Sequence, residues 1–596
     1  MKDEKARIQQ RLIQALSLLL FGYLLLSAAW PLSGGMLPPD MFLRLDPLTA
    51  ALVPISVREW ILRLLPGLAV LGLVLLFGRV FCGYICPMGI TLDIGRSIGG
   101  LFAKGGKIPE PVRLSPHWRK AKYLVLAVML GAAVTGVNLV FWGSPVALAT
   151  RFWALLMHPI SLLGGGLALN AGTPLFEGLG FTSLTYMTIE FRRFDTLYFV
   201  GGFWILLFAL ERVKPRFWCR YLCPAGALQG LLSLRPLWRR RVSGCIHCGA
   251  CARRCPAGAI APDGRTKSHG DCIACRACTD GCPVDGVHFS FFAPHIVMPK
   301  RGGEEQNHGF SGADSERDAA RDKGSLSRCL PSRRVFLGAT LAGAALASVQ
   351  YSGAHSLLRV PARGAFWQPD LVRPPAALPE PDFLARCIRC GECMKVCPTN
   401  GLQPTWLSAG PEGVFSPVLA PRRGPCEPEC NACGQVCPTG AIRPLPLEEK
   451  RWAKVGTALV RKERCLAWAE NRRCVVCQEV CPYGSVNLVQ TPGAAVPVPV
   501  VNALRCFGCG FCEQHCPTRV PSIIVEPLNA LRLDTADYKE TGQAMGLELR
   551  PGVSQELLET VPEGRMPPGF MPLEDSAPHG NEAGEGKAAL PPGFSD

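Results

Sequence analysis

Six groups of four cysteines, each ending in Cys-Pro, constrain this chain more than any other feature. Four share one spacing, Cys-x2-Cys-x2-Cys-x3-Cys-Pro: Cys245/Cys248/Cys251/Cys255, Cys272/Cys275/Cys278/Cys282, Cys387/Cys390/Cys393/Cys397 and Cys506/Cys509/Cys512/Cys516. The set Cys426/Cys430/Cys433/Cys437 is stretched by one residue, and Cys465/Cys474/Cys477/Cys481 has a long first gap. Thiolates are soft ligands. Two-residue gaps let a tight loop wrap three corners of a cubane while a more distant Cys-Pro supplies the fourth, so each group can hold a [4Fe–4S] cluster. Zinc prefers paired Cys-x2-Cys halves across a longer loop, often with His, and disulfide frameworks belong to small secreted domains. Neither explains one spacing repeated four times. Six clusters in a single chain make a conductor of single electrons.

In two-cluster proteins of this pattern the fourth cysteine serves the neighbouring cluster. That rule assigns Cys245, Cys248, Cys251 and Cys282 to one cluster, and Cys272, Cys275, Cys278 and Cys255 to another. In the C-terminal half the regular groups stand first and fourth and the irregular ones second and third. This symmetry favours nested pairing, first with fourth and second with third; sequential pairing is the alternative.

Of the 29 cysteines, the six groups use 24. Four more form two short motifs, Cys82-x3-Cys86-Pro87 and Cys219-x3-Cys223-Pro224, and Cys329 is a spare thiol. The short motifs are an internal repeat: Arg79-Val-Phe-Cys82-Gly-Tyr84-Ile-Cys86-Pro87-Met-Gly89 matches Arg216-Phe-Trp-Cys219-Arg-Tyr221-Leu-Cys223-Pro224-Ala-Gly226. Cysteines at i and i+4 share a helix face, so two such pairs can converge on one cofactor-binding site near the membrane surface. A metal, a redox-active thiol pair and plain packing are all compatible with the pattern, and soft thiolates suit Cu(I).

The apolar residues are concentrated in runs. Arg11–Trp30, Ile61–Phe81 and Tyr123–Trp142 approach the ~20 residues a spanning helix needs, and Leu197–Leu210 is shorter. Basic residues cluster before the first run, between the second and third (Lys104, Lys107, Arg113, Arg119, Lys120, Lys122) and after the fourth (Arg212, Lys214, Arg216, Arg220, Arg239, Arg240, Arg241). By the positive-inside rule the N-terminus and the first pair of clusters are cytoplasmic. The net charge of +16 is therefore mostly a topology signal, and no aromatic–basic motif points to nucleic acid. The expectation is a helical membrane bundle of two hairpin repeats, residues 1–235, followed by an α+β two-cluster module at 236–295. The intervening stretch 143–196 reads as a loop on the far side, where His158, Glu177 and Glu190 are candidate proton acceptors.

Residues 296–331 are polar and read as a linker. Ser332-Arg333-Arg334-Val335-Phe336-Leu337 then precedes a modest apolar run with an Ala345-Leu346-Ala347 pattern. Residues 332–355 thus read as an internal twin-arginine signal or a fifth helix, and cleavage after Ala347 is left open. Either reading puts the four groups of 356–530 on the far side of the membrane. Residues 531–596 are rich in Pro, Gly and acidic residues, repeat Pro-Pro-Gly-Phe at 567–570 and 591–594, and read as disordered.

On these motifs the front of the chain, to about residue 295, resembles NapH, the membrane component of a quinol dehydrogenase. The back, about 328–530, resembles NapG, its exported four-cluster partner. Related modules occur in nitrous oxide reduction and methylamine oxidation systems. The resemblance implies a protein of the bacterial inner membrane that passes electrons from quinol to a periplasmic acceptor, a cytochrome or terminal reductase of nitrate or nitrous oxide respiration. Its departure from the pattern is the fusion of both parts in one chain. The alternative is an accessory reductase that activates a metalloenzyme or handles copper through the Cys-x3-Cys-Pro pairs. No Cys-x2-Cys-His haem site and no Gly-x-Gly-x-x-Gly dinucleotide loop is present.

Overall fold

The computed structural model describes residues 4–549 apart from 33–36, 102–115, 179–182, 184–188, 190, 235, 244, 262, 265–266, 292–329, 352–370, 407–409, 411–412 and 493. Cys329, Glu190, nearly all of the linker and the Pro-Pro-Gly-Phe repeats lie outside the described residues.

About half of the described residues are helical and the strands among them are few and short. The first 232 residues supply helices α1 (Glu4–Ser27), α2 (Pro47–Val57), α3 (Leu65–Phe77), α4 (Pro87–Leu101), α5 (Ala121–Val134), α6 (Pro145–Arg151), α7 (His158–Gly178), α8 (Leu197–Val213) and α9 (Pro224–Leu232). Their inward residues, among them Leu48, Val53, Met88, Leu126, Val146, Phe152 and Trp204, form one large apolar core. Among the described residues two helical stretches are long and apolar enough to cross a membrane, Ile8–Ser27 and Pro145–Pro174. The second corrects the loop reading of 143–196. Its Gly164-Gly165-Gly166 and its prolines Pro159 and Pro174 interrupt the apolar run, yet Pro145 falls in a first turn, where a missing N–H costs little, and Pro159 follows the π-helical segment Phe152–Met157. Of the other expected spans, 61–81 breaks at Gly78 and 123–142 ends its helix at Val134.

The Cys-x3-Cys-Pro repeat recurs as a structural repeat. In both copies a single π turn, Phe81–Ile85 or Trp218–Leu222, carries the first cysteine. The second cysteine is extended (Cys86 φ −62°, ψ 116°; Cys223 φ −65°, ψ 111°) because the following proline disfavours helical backbone before it. Cys223 then caps α9, its sulfur accepting from Gly226 N at 3.3 Å.

Three two-group modules follow, each closed by antiparallel pairing around its cysteines. Strands β1 (Arg239–Val242) and β2 (Val287–Ser290) flank groups one and two. A bridge between Ala377 and Ile442 flanks the next two, with the hairpin β3 (Leu402–Pro404) and β4 (Pro417–Leu419) between them. Strands β5 (Thr457–Val460) and β8 (Ile523–Glu526) close the last pair, with β6 (Val486–Val489) and β7 (Val498–Val501) inside it.

Residues 333–351 form α10 (Arg333–Tyr351), which lies along α5. Two glycines meet at the crossing: a Cβ on Gly131 would fall 1.9 Å from Thr340 O, and one on Gly343 2.2 Å from Val128 O. Small residues that let backbones approach are the usual means of joining helices in lipid. Gly131→Ala is expected to loosen α10 at a cost of about 1–3 kcal/mol, read as protease cleavage near residue 340 in the variant under conditions where the parent resists.

The tail reading also needs correction. Leu531, Tyr538 and Leu547 are buried in a cluster with Phe383 and Phe507, and Tyr538–Ala544 is a helix capped by Asp537. Apolar residues spaced sparsely among polar ones hid this docking segment; only 550–596 lies outside the described residues.

Candidate functional site

The backbone around each regular group does the first work. The second and fourth residues after the leading cysteine have positive φ in all four: His247 and Gly249, Ala274 and Arg276, Arg389 and Gly391, Gly508 and Gly510. Such left-handed residues turn successive N–H groups inward into an anion-binding concavity. For a non-glycine residue the conformation costs roughly 1–2 kcal/mol, and here His247, Ala274, Arg276 and Arg389 all adopt it. The fourth cysteines are served separately by backbone donors: Ala259 N to Cys255 Sγ, Gly286 N to Cys282 and Ser485 N to Cys481, each 3.3 Å, and Ser522 N to Cys516 at 3.4 Å.

These turns bring together Cys245, Cys248, Cys251 and Cys282 around one cavity, and Cys255, Cys272, Cys275 and Cys278 around a second. In the C-terminal half the pairing is sequential, not nested. Cys437 lies within electrostatic reach of Cys387, Cys390 and Cys393, and Cys397 of Cys426, Cys430 and Cys433. Cys481 neighbours Cys506, Cys509 and Cys512, while Cys465, Cys474, Cys477 and Cys516 line one cavity. The physical reason is the strand closure: each antiparallel pair returns the chain after two groups, so neighbours in sequence share walls. Spacing irregularity, the basis for nesting, changes only the loop lengths.

The sites fit iron–sulfur clusters. Among the described residues no three His, Cys, Asp or Glu side chains converge on a point that one metal ion could fill; the thiol sets surround a volume. Burial pushes the thiols up, to about 12 for Cys275 and Cys477 and about 11 for Cys278 and Cys430, so they ionise on binding metal rather than in water. For Cys516 burial is outweighed by hydrogen bonds from Ser522 and Thr518, which lower it.

The modules are tied together at ligand residues. Cys426 N donates to Cys509 O at 2.7 Å, joining the second and third C-terminal sets. The N-terminal module is anchored through residues beside the Cys255/Cys272/Cys275/Cys278 set: Tyr84 Oη donates to Ala274 O at 3.0 Å, Arg119 to Gly258 O at 2.7 Å and Arg220 to Pro256 O. A Cβ on Gly83 would lie 2.4 Å from Ile273 O, so only glycine fits there. Asp271, buried beside Cys272, pairs with Lys122 and with Arg119 at 3.3 Å. Burial would raise its carboxyl, but these two cations hold it well below the usual carboxylate range. The C-terminal domain attaches elsewhere: Lys395 Nζ donates to Leu25 O and Ala28 O, and Asn138 Nδ2 to Ala385 O at 2.9 Å.

Sequence reasoning missed this machinery because it read the basic residues as topology markers. Lys122 is fully buried, and Arg240 is buried and donates to Gly264 O at 2.8 Å and towards Cys251 Sγ at 3.6 Å. Neither residue lies near a Cys-Pro in the sequence, so no local signal marked them. The four remaining thiols also come together. Cys82 and Cys219 line one pocket with Arg79, Arg119, Arg216 and Arg220, and Cys86 and Cys223 are buried in the core behind it. The repeat is reciprocal: Arg79 reaches Gly226 of the second copy and Arg216 reaches Gly89 of the first. His158 opens α7 and Glu177 lies at its end, so they do not share a loop.

Comparison with known proteins adds three family matches: a 4Fe-4S binding domain at 60–105 and 196–244, a 4Fe-4S dicluster domain at 386–441 and a second type of 4Fe-4S binding domain at 499–522. The dicluster match spans the first two C-terminal groups, in keeping with sequential pairing. The chain is 36% identical over 163 residues to the methylamine utilization ferredoxin-type protein MauM of Methylophilus methylotrophus, covering 26% of this chain and 69% of that protein. It is 34% identical over 183 residues to the ferredoxin-type protein NapG of Escherichia coli K12, covering 29% and 78%. The methylamine utilization ferredoxin-type protein MauN of Paracoccus denitrificans is 30% identical over 201 residues, covering 32% and 54%. No solved structure matches the chain.

Proposed function

Because the chain belongs to the NapG- and MauM-type ferredoxin family of iron–sulfur electron-transfer proteins, we propose that it carries electrons from membrane quinol to a periplasmic redox partner through six [4Fe–4S] clusters. Each cluster supplies a one-electron site. The thiol sets described above hold them, and the membrane bundle spans the bacterial inner membrane with the N-terminal module inside and the four-cluster domain outside.

The observation that carries this reading is the attachment of the two cluster-bearing parts to opposite ends of the same helices. Gln10 and Gln14 of α1 donate to Gly83 O, beside the N-terminal module, while the other end of α1 holds Lys395 of the C-terminal domain. From residue 10 to residue 25 is about 22 Å of helix. On α5, Lys122 holds Asp271 and the residues just past its end hold Ala385. The gap is shorter than the ~30 Å hydrocarbon layer, and Cys82 and Cys219 lie at its N-terminal-module end, lining a pocket with Asp271 and Ile273. On the far side the tie between Cys426 and Cys509 orders the wire: the Cys387 set, the Cys397 set, the Cys481 set, then the Cys465 set.

The test is anaerobic addition of a quinol analogue to the purified protein, followed by EPR. Reduced [4Fe–4S] signals are expected. Clusters that stay oxidised, together with reduction of added Cu(II), would replace this reading with that of an accessory copper reductase.

A further inference from the structure

The four cysteines of the repeated Cys-x3-Cys-Pro motif stand outside the six ferredoxin sets, yet the fold gathers them in the same way. Cys82 and Cys219 sit in the two π turns, and Cys86 and Cys223 end those turns just before α4 and α9. The thiols reach one another across the two copies: Cys86 is within electrostatic reach of Cys82 and Cys223, Cys219 of Cys223 and Cys86, and Cys223 of Cys82. The same kind of mutual reach links Cys477 to Cys474, Cys465 and Cys516. Among the described residues no three such side chains converge on a point that one metal ion could fill, as in the ferredoxin sets and unlike a zinc site. Three buried N–H atoms beside the four thiols have no acceptor among the described residues: Arg79 Nε, Trp218 Nε1 and Gln229 Nε2. Gln229 is fully buried, and its Oε1 accepts from Cys82 Sγ at 3.3 Å. Arg79 is 3% exposed, with Nη2 3.8 Å from the same sulfur. Trp218 immediately precedes Cys219 in its π turn. The guanidiniums already have carboxylates, Asp271 at 4.0 Å from Arg79 and Asp93 at 2.6 Å from Arg216, so charge alone asks for no ligand. The orphaned donors do, because buried N–H groups without acceptors are rare in folded chains.

We propose that Cys82, Cys86, Cys219 and Cys223 together hold a seventh iron–sulfur cluster, two ligands coming from each copy of the repeat, and that it exchanges electrons with the cluster of Cys255, Cys272, Cys275 and Cys278. Its role as a relay rests on the proposed function, in which that neighbouring set holds a cluster. Four thiolates are what such a cluster requires, and neither copy alone supplies them. The thiols ionise as they bind iron, and the sulfurs then offer acceptors to the orphaned donors; a turn of the Gln229 amide brings Nε2 to the Cys82 sulfur. The neighbouring set is in direct contact. A Cβ on Gly83 would lie 2.4 Å from Ile273 O, and Tyr84 Oη donates to Ala274 O at 3.0 Å, both acceptors lying between Cys272 and Cys275. Arg216 stands between the two sites, with Cys219 and Cys275 both among the groups it feels. The exchange moves one electron, one cluster being oxidised as the other is reduced, and no bond is made or broken. It extends the wire from the N-terminal module into the bundle.

The experiment counts iron, copper, zinc and acid-labile sulfide in the full-length protein after anaerobic reconstitution, with EPR and Mössbauer spectra of the parent, Cys86→Ala and Cys219→Ala. The parent is expected to hold more iron than the ~24 atoms of six cubanes. Both variants, one from each copy, should lose the same single spectral component and about two or about four irons per chain, the contents of a [2Fe–2S] or a [4Fe–4S] cluster, with the ferredoxin signals retained. Where alanine releases iron from every site, Cys86→Ser and Cys219→Ser take its place, and the parent count stands independently of any variant. Iron in the parent at no more than six cubanes, iron unchanged in both variants, or loss of copper or zinc in place of iron overturns the inference while leaving the proposed function standing. Failure of quinol to reduce any cluster of the parent overturns the proposed function and leaves the iron count unmoved.

Discussion

Replacing Cys437 with alanine is expected to abolish the cluster of Cys387, Cys390 and Cys393, although Cys437 belongs by sequence to the group of Cys426, Cys430 and Cys433. One cluster's worth of iron should be lost, and the signal of the neighbouring cluster should remain. Conversely, Cys397→Ala should remove the cluster of Cys426, Cys430 and Cys433. The effect is large because a cubane needs a thiolate at each iron, and the pocket offers no substitute: burial around Cys387, Cys390 and Cys393 excludes water from the vacated corner. Iron analysis with EPR of each variant is the measurement. If Cys437→Ala instead removed the cluster of its own sequence group, ligand sharing between neighbours would be wrong.

Asp271→Asn is expected to detach the N-terminal cluster module from the bundle, at a cost of about 3–5 kcal/mol, because it leaves the buried Lys122 and the half-buried Arg119 without their carboxylate. The double variant Asp271→Asn/Lys122→Met should recover part of the loss, since it removes both a charge and its partner. Thermal unfolding in detergent, followed by release of iron, measures both. The pH dependence has a definite sign. Asp271 is held below the ordinary carboxylate range, so its contribution is complete above pH ~4 and is lost as the pH falls further, through its lowered pKa. A module that detached on raising the pH from 5 to 8 would contradict this account.

The cysteine groups were legible because a cubane dictates its ligands locally: short gaps, then Cys-Pro, with the positive-φ positions at fixed offsets. Cross-sharing within the N-terminal module was legible for the same reason. The pairing of the C-terminal groups was not, because spacing records loop length and not which strands close on one another; the Ala377–Ile442 bridge and the β5–β8 pair decide that. Helical character was visible in the apolar runs, but the stretch Pro145–Pro174 was not, since glycine and proline mask an apolar run whose helix is completed by its neighbours. The segment 531–549 looked disordered by composition and is held by burial of Tyr538.

The twenty-four grouped cysteines and the repeated Cys-x3-Cys-Pro motif by themselves determined that this chain handles electrons, because few other chemistries require soft ligands at those intervals. Only the tertiary structure decided the order of the sites. Lys122 and Arg389 read as ordinary basic residues until distant segments are brought together; one then holds a cluster module by its buried carboxylate, and the other lies against Phe141 at the opposite end of the bundle. A charge becomes informative when burial removes the water that would otherwise satisfy it, and burial is a property of the folded chain.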